Sequence, residues 1–189
     1  MITFEEIKSN YKNPSDIPYF ELLKTKEWFD KREIILTRDG QKCTTCGKFP
    51  TMAHYDFNAS KTVHIWFGEE KLVHSKNEDG INTKNYLPEI TFADKPYSLH
   101  VHHKFYILDK LPWEYTDDSL IVLCNWCHWV YHENNIVPVF KSLDDKLEQV
   151  DMTPCSRCHG AGLFPEYKHV ESGICFRCKG KRYEQLIIH

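Results

Sequence analysis

Eight cysteines fall into four pairs of one form, Cys-x-x-Cys: Cys43/Cys46, Cys124/Cys127, Cys155/Cys158 and Cys175/Cys178, with none left over. Disulfides do not persist in a reducing compartment. Zinc takes four soft ligands in a tetrahedron, and one Cys-x-x-Cys knuckle supplies two of them. Eight cysteines therefore read as two structural zinc sites. Cys155/Cys158 and Cys175/Cys178 are separated by 16 residues, a zinc-ribbon spacing. Cys43/Cys46 is left to close with Cys124/Cys127 across 77 residues, at little more loop entropy than a short connection. Thioredoxin-like redox chemistry is the alternative, but it needs such a pair at a helix start within a βαβ pattern, which is not visible.

The composition supports a folded scaffold around these sites. Apolar residues make up 41% and aromatic residues 14% of 189, enough for one packed domain or a domain with an appendage. Eight thiolates and two zinc ions take the formal charge from −3 to −7. A histone-like basic coat is excluded, so nucleic acid would have to be met by local basic patches. No apolar run reaches the roughly 18 residues of a spanning helix. The opening MITFEEIKSNYKNP lacks a basic stretch followed by an apolar one. The expected location is the cytoplasm, with no membrane contact.

Residues 1–24 read as an N-terminal arm. A helix is expected over 25–39, with Thr25 as N-cap, Trp28, Ile35 and Leu36 on one face and Gly40 as terminator. The stretch 50–98 is rich in β-formers: TVHIWF, KLVH and EITF read as strands, with GEE and NEDG as turns. LHVHHK and SLIVL read as two further strands, and the second knuckle leads into a short helix through His132. A linker over 141–154 carries one expected helix starting at Ser142, and residues 155–189 form the second zinc unit. Trp113 and Trp126 read as core, and His54, His64 and His74 as ordinary strand histidines.

Chemistry concentrates between residues 99 and 134. His102 and His103 are neighbours on a strand and point to opposite sides, so one can bind a metal while the other faces a substrate. His128 and His132 are four apart and share a helix face. His102, His128 and His132 can then converge on one ion with coordination positions left open, as in a catalytic rather than a structural site.

The order Val101-His102-His103, then Leu120-x-x-Leu123-Cys124-x-x-Cys127-His128-x-x-x-His132, resembles the HNH endonucleases. The upstream Trp28-x-x-x-Arg32-x-x-x-Leu36-x-Arg38-Asp39-Gly40-x-x-Cys43-x-x-Cys46-Gly47 is similar to the cysteine-containing subgroup. The resemblance spans about 25–134, within an expected nuclease domain of 25–140 interrupted by the 50–98 insertion. It implies an α+β fold: a zinc-stapled ββα-metal core with a β-rich insertion and a C-terminal zinc ribbon. It further implies an enzyme that hydrolyses DNA phosphodiester bonds. His103 would be the general base, and His102, His128 and His132 the ligands of a catalytic Mg²⁺, Mn²⁺, Ni²⁺ or Zn²⁺. Ser119 stands where the family carries its asparagine, and a serine has a shorter reach and fewer bonding groups. Asp118 or the Pro112–Tyr115 segment is the expected substitute brace. Double-stranded DNA is the expected partner, and cutting both strands would favour a homodimer. A phage or host-defence setting is associated with the family. The rival reading is the same scaffold without catalysis, as a zinc-stapled DNA- or protein-binding module.

Cys155-Ser-Arg-Cys158-His-Gly-Ala-Gly162 and Cys175-Phe-Arg-Cys178-Lys-Gly-Lys-Arg182 resemble one zinc module of the DnaJ-type co-chaperones, whose repeats read Cys-x-x-Cys-x-Gly-x-Gly. The second half departs from the pattern: Arg182 replaces the last glycine. No J-domain is visible, so co-chaperone activity does not carry over. Residues 153–189 hold Arg157, Lys168, Arg177, Lys179, Lys181 and Arg182 against three glutamates. The unit is expected to hold nucleic acid, dock a protein partner or serve as a stabilising lid.

Overall fold

The computed structural model describes residues 1–76, 82–143, 146–164, 167, 169 and 170–187. The chain is mixed α+β, mostly sheet with few helices, and forms two compact units, 1–47 with 99–189 and 48–98. The expected NEDG turn and Lys168 lie outside the described residues.

In the first unit, α1 (Phe4–Lys8) is closed by a capping box in which Thr3 and Glu6 satisfy each other's backbone donors. A short α2 (Tyr19–Leu22) follows. The main helix, α3 (Lys26–Arg38), starts where Thr25 accepts from the Trp28 amide and buries Trp28, Ile35 and Leu36. Gly40 lies just past its end at φ 69°, a conformation that costs glycine nothing. Side-chain bonds tie α3 to the strands. Arg38 donates to the Leu120 carbonyl at 2.9 Å, and the Asp39 carboxylate accepts from the Val122 amide at 3.0 Å.

The second unit is an antiparallel sheet of β1 (Met52–Asp56), β2 (Lys61–Lys76) and β3 (Asn82–Phe92) in that order. The expected turn at GEE is not a turn: β2 runs through it, and the β2–β3 register shifts between Phe67 and Glu70. Gly68 sits in this bulge, where an added Cβ would meet Glu89 Cβ at 3.3 Å. Ile65 and Tyr97 are buried, and Trp66 donates to the Phe49 carbonyl at 3.0 Å.

Back in the first unit, β4 (Leu99–His103) pairs antiparallel with β6 (Leu120–Cys124), with His102 opposite Ile121 and His103 opposite Leu120. β5 (Tyr106–Ile107) lies between them in sequence. The helix α4 (Asn125–Asn134) follows β6 directly, with the Cys124 sulfur accepting from the Cys127 amide as its N-cap, and contacts both β4 and β6. The expected helix from Ser142 is absent. Instead β7 (Val139–Leu143) and β8 (Lys146–Val150) form an antiparallel pair in which Ser142 faces Leu147. β5 is the reason: it pairs parallel with β7 through Tyr106/Val139 and Ile107/Phe140, so the chain enters this segment already committed to a sheet. Trp113 is partly buried against Phe4, whereas Trp126 is 40% exposed and so is not core. No helix among the described residues is long and apolar enough to cross a membrane.

Candidate metal centres

Three groups of side chains bring their ligand atoms within 4.8 Å of one another: Cys43/Cys46/Cys124/Cys127, Cys155/Cys158/Cys175/Cys178 and His102/His128/His132. The cysteine partnerships are those the spacing implies. In the first cluster, the start of α4 and the loop after α3 each present a knuckle whose first sulfur accepts an amide, Cys46 N to Cys43 Sγ and Cys127 N to Cys124 Sγ. Cys46 and Cys124 Sγ are 3.7 Å apart. Two sulfurs each about 2.3 Å from one tetrahedral ion stand roughly 3.8 Å apart, so the donor set fits zinc. Cys158 and Cys178 Sγ in the second cluster are also 3.7 Å apart. All four cysteines there are buried, and they are the core of their module.

The second module has an internal twofold pattern. Cys155 N donates to the Arg182 carbonyl and Cys175 N to the Gly162 carbonyl. The turns after each knuckle repeat as well: His159 and Gly160 at φ 49° and 86°, Lys179 and Gly180 at φ 48° and 80°. The module packs against the rest of its unit. The Tyr183 hydroxyl donates to the Val137 carbonyl at 3.0 Å, and Trp129 of α4 meets His159 edge-on.

The histidine group is built from β4 and α4. His102 and His132 are 2% and 3% exposed, with their Nε2 atoms 3.2 Å apart. Two nitrogens about 2.0–2.1 Å from one tetrahedral ion stand roughly 3.3 Å apart, so this separation suits shared coordination. His128 stands edge-on to both rings, at 5.1 and 4.7 Å between centroids, and His100 stacks on its other side at 5.5 Å. Burial, then the neighbouring imidazoles, hold His128 well below its ordinary pKa. Burial first, then His132 and His103, lowers His102 to about 3. His132 falls to about 4, chiefly through burial, with its hydrogen bond to the His159 carbonyl opposing the fall. All three are neutral at pH 7, the form that binds metal.

The outer contacts of the ligand rings differ. His132 Nδ1 lies 3.1 Å from the His159 carbonyl. Donation to that oxygen fixes the tautomer and leaves the Nε2 lone pair for a metal. Sequence reasoning missed this contact, and a backbone oxygen at the end of a cysteine knuckle leaves no sequence signal. His102 Nδ1, by contrast, is buried without a hydrogen-bond partner.

The His103 ring is packed in the interior. It is 3% exposed, stacked on Trp28 at 5.4 Å and 16°, and edge-on to Tyr115 at 4.6 Å. Its Nε2 lies 3.0 Å from the Pro112 carbonyl. Strand alternation does send it to the side opposite His102, but α3 and the Pro112–Tyr115 segment cover that side. Burial drives its pKa down to about 3, with the Arg182 and Lys31 charges adding to the fall and the Pro112 hydrogen bond opposing it.

Ser119 is buried, and its hydroxyl lies 2.8 Å from that of Thr116. It does not span the loop as an asparagine would. Other residues brace that loop: Tyr115 OH accepts from the Ile107 amide at 2.7 Å, and Lys104 Nζ donates to the Asp118 carbonyl at 2.8 Å. His54, His64 and His74 enter none of the three groups. In comparisons with known proteins, no family model, no curated protein and no solved structure matches the chain.

Proposed function

We propose that the chain is a metal-dependent nuclease of the HNH kind, hydrolysing DNA phosphodiester bonds at an ion held by His102, His128 and His132. The convergence of these three neutral imidazoles on a strand pair and the helix that follows it carries the reading. A divalent ion there would supply charge compensation for the scissile phosphate and a more acidic water. Three protein ligands leave positions for that water and a phosphate oxygen. His132 is oriented by the His159 carbonyl. In this reading the β4–β6 hairpin carries His102, and α4 presents His128 and His132 one turn apart.

The role of His103 is where the resemblance and the geometry part. The family places its general base here. A ring packed between Trp28 and Tyr115 at a pKa of about 3 is a poor proton acceptor at neutral pH. We therefore assign His103 to positioning: it holds the Pro112 carbonyl and packs the loop between β5 and β6. The same burial favours a second reading, a catalytically silent zinc-stapled binding module, and Ser119 in the asparagine position favours it too.

Supercoiled plasmid with Mg²⁺ or Mn²⁺, and with EDTA as control, separates the two. Nicking that EDTA stops and that is absent from His128→Ala, with both zinc ions retained, supports the nuclease. DNA retention without nicking under every metal supports the module.

A further inference from the structure

Arg182 occupies a position that the module's own repeat assigns to glycine. Its counterpart, Gly162, has φ 76°, and Arg182 has φ 72°. That region suits glycine and strains other L-residues. The two positions face each other: a Cβ at Gly162 would lie 2.8 Å from Arg182 Cγ. The arginine therefore needs the glycine opposite it, and it holds a left-handed backbone to be there.

The side chain also has no carboxylate partner among the described ion pairs. The guanidinium is sandwiched between the rings of Tyr19 and Tyr106, 3.8 Å from each centroid. Its Nε and Nη1 are buried with no hydrogen-bond partner. Ring faces attract a cation, but a buried charge with no counter-ion is among the most unfavourable polar groups a fold can carry. A strained backbone, two unsatisfied donors and a charge without a counter-ion at one residue point to use rather than to stability.

Arg182 lines a cleft of about 650 Å³ with Tyr19, Tyr106, Lys110 and Lys181, and the one carboxylate among its lining residues is Asp109. Two lysines lining the same cleft as the guanidinium favour an anion of more than one charge, and the planar guanidinium fork matches phosphate oxygens. We propose that this cleft is a phosphate-binding site, with Arg182 as its recognition residue and a phosphate monoester carrying an apolar or aromatic body as its ligand. Reaching the oxygens requires the guanidinium to swing from between the two tyrosines. None of the three histidines lines this cleft, although the Arg182 charge reaches His102 and His132, and the proposal does not depend on the nuclease reading.

Thermal unfolding of the full zinc-loaded chain tests it, with inorganic phosphate and thymidine 5′-monophosphate as probes and acetate as the carboxylate arm. Wild type should gain roughly 5 °C or more once a phosphate probe exceeds its dissociation constant a hundredfold. Arg182→Met keeps the packing volume and removes the charge. It should lose that shift while melting, without ligand, at or above the wild-type temperature. His128→Ala should keep the shift. The proposal is overturned if wild type shows no shift, if acetate matches phosphate, or if His128→Ala rather than Arg182→Met loses the response. It is also overturned if Arg182→Met by itself melts well below wild type, which would make the arginine a structural wedge between Tyr19 and Tyr106.

Discussion

Replacing His103 with phenylalanine tests whether this ring is interior packing or a working base. The folded ring has a pKa of about 3, against 6.5 when unperturbed, because burial disfavours its charged form. The unfolded chain therefore takes up the proton first. The stability that the neutral ring lends is complete above about pH 6.5 and is eroded as pH falls from there towards 3. The slope is roughly 1.4 kcal/mol per pH unit, so the share lost by pH 5.5 is about 1.4 kcal/mol. Phenylalanine keeps the stack on Trp28 but cannot titrate. It also leaves the Pro112 carbonyl without its donor, a loss of about 1–3 kcal/mol at pH 7.5. Urea unfolding followed by tryptophan fluorescence, with zinc present, should give a gap between wild type and His103→Phe that narrows by about 1.4 kcal/mol between pH 7.5 and 5.5. Taking the difference removes the acid sensitivity of the cysteine sites, which both proteins share. A gap that stays constant would mean that His103 titrates normally in the folded chain. The positioning assignment would then be wrong, and the base that the HNH resemblance implies would be restored.

Two further outcomes follow from the packing. Cys155→Ser should lower the zinc content by one ion per chain. It should also weaken Ni²⁺ binding at the three histidines by about 10–100-fold, because the knuckle that begins at Cys155 delivers the His159 carbonyl to His132; titration calorimetry of the two proteins reads this directly. Ile35→Ala empties a site on α3 that is fully buried and should cost about 2–5 kcal/mol in urea unfolding, with both zinc ions retained.

Some of this was legible in the sequence because the signals are local. The knuckles announce themselves by spacing, and only one way of joining them leaves a ribbon-like interval. The histidine group could be read from two periodicities, alternation on a strand for His102 and a four-residue step on a helix for His128 and His132. Thr25, Trp28 and Gly40 marked α3 by capping, face and termination. What was hidden depends on contacts distant in sequence. Trp28 covers His103 from a helix far upstream, so alternation gave the direction of the ring but not what fills that side. The parallel pairing of Tyr106 and Ile107 with Val139 and Phe140 makes a strand pair of the segment read as a helix from Ser142. The GEE stretch has turn-like composition, yet a bulge absorbs its glycine. Arg182 was visible as a departure from the repeat, but its strain and its missing counter-ion appear only in three dimensions.

The central claim is that the chain holds a third divalent ion on His102, His128 and His132, in addition to one zinc in each cysteine cluster. Native mass spectrometry of the zinc-loaded protein titrated with Ni²⁺ measures this most directly. The account predicts two zinc ions and one nickel ion per chain, with the nickel lost in His128→Ala and the zinc unchanged. Saturation at two ions, or a third ion that persists in His128→Ala, would contradict it.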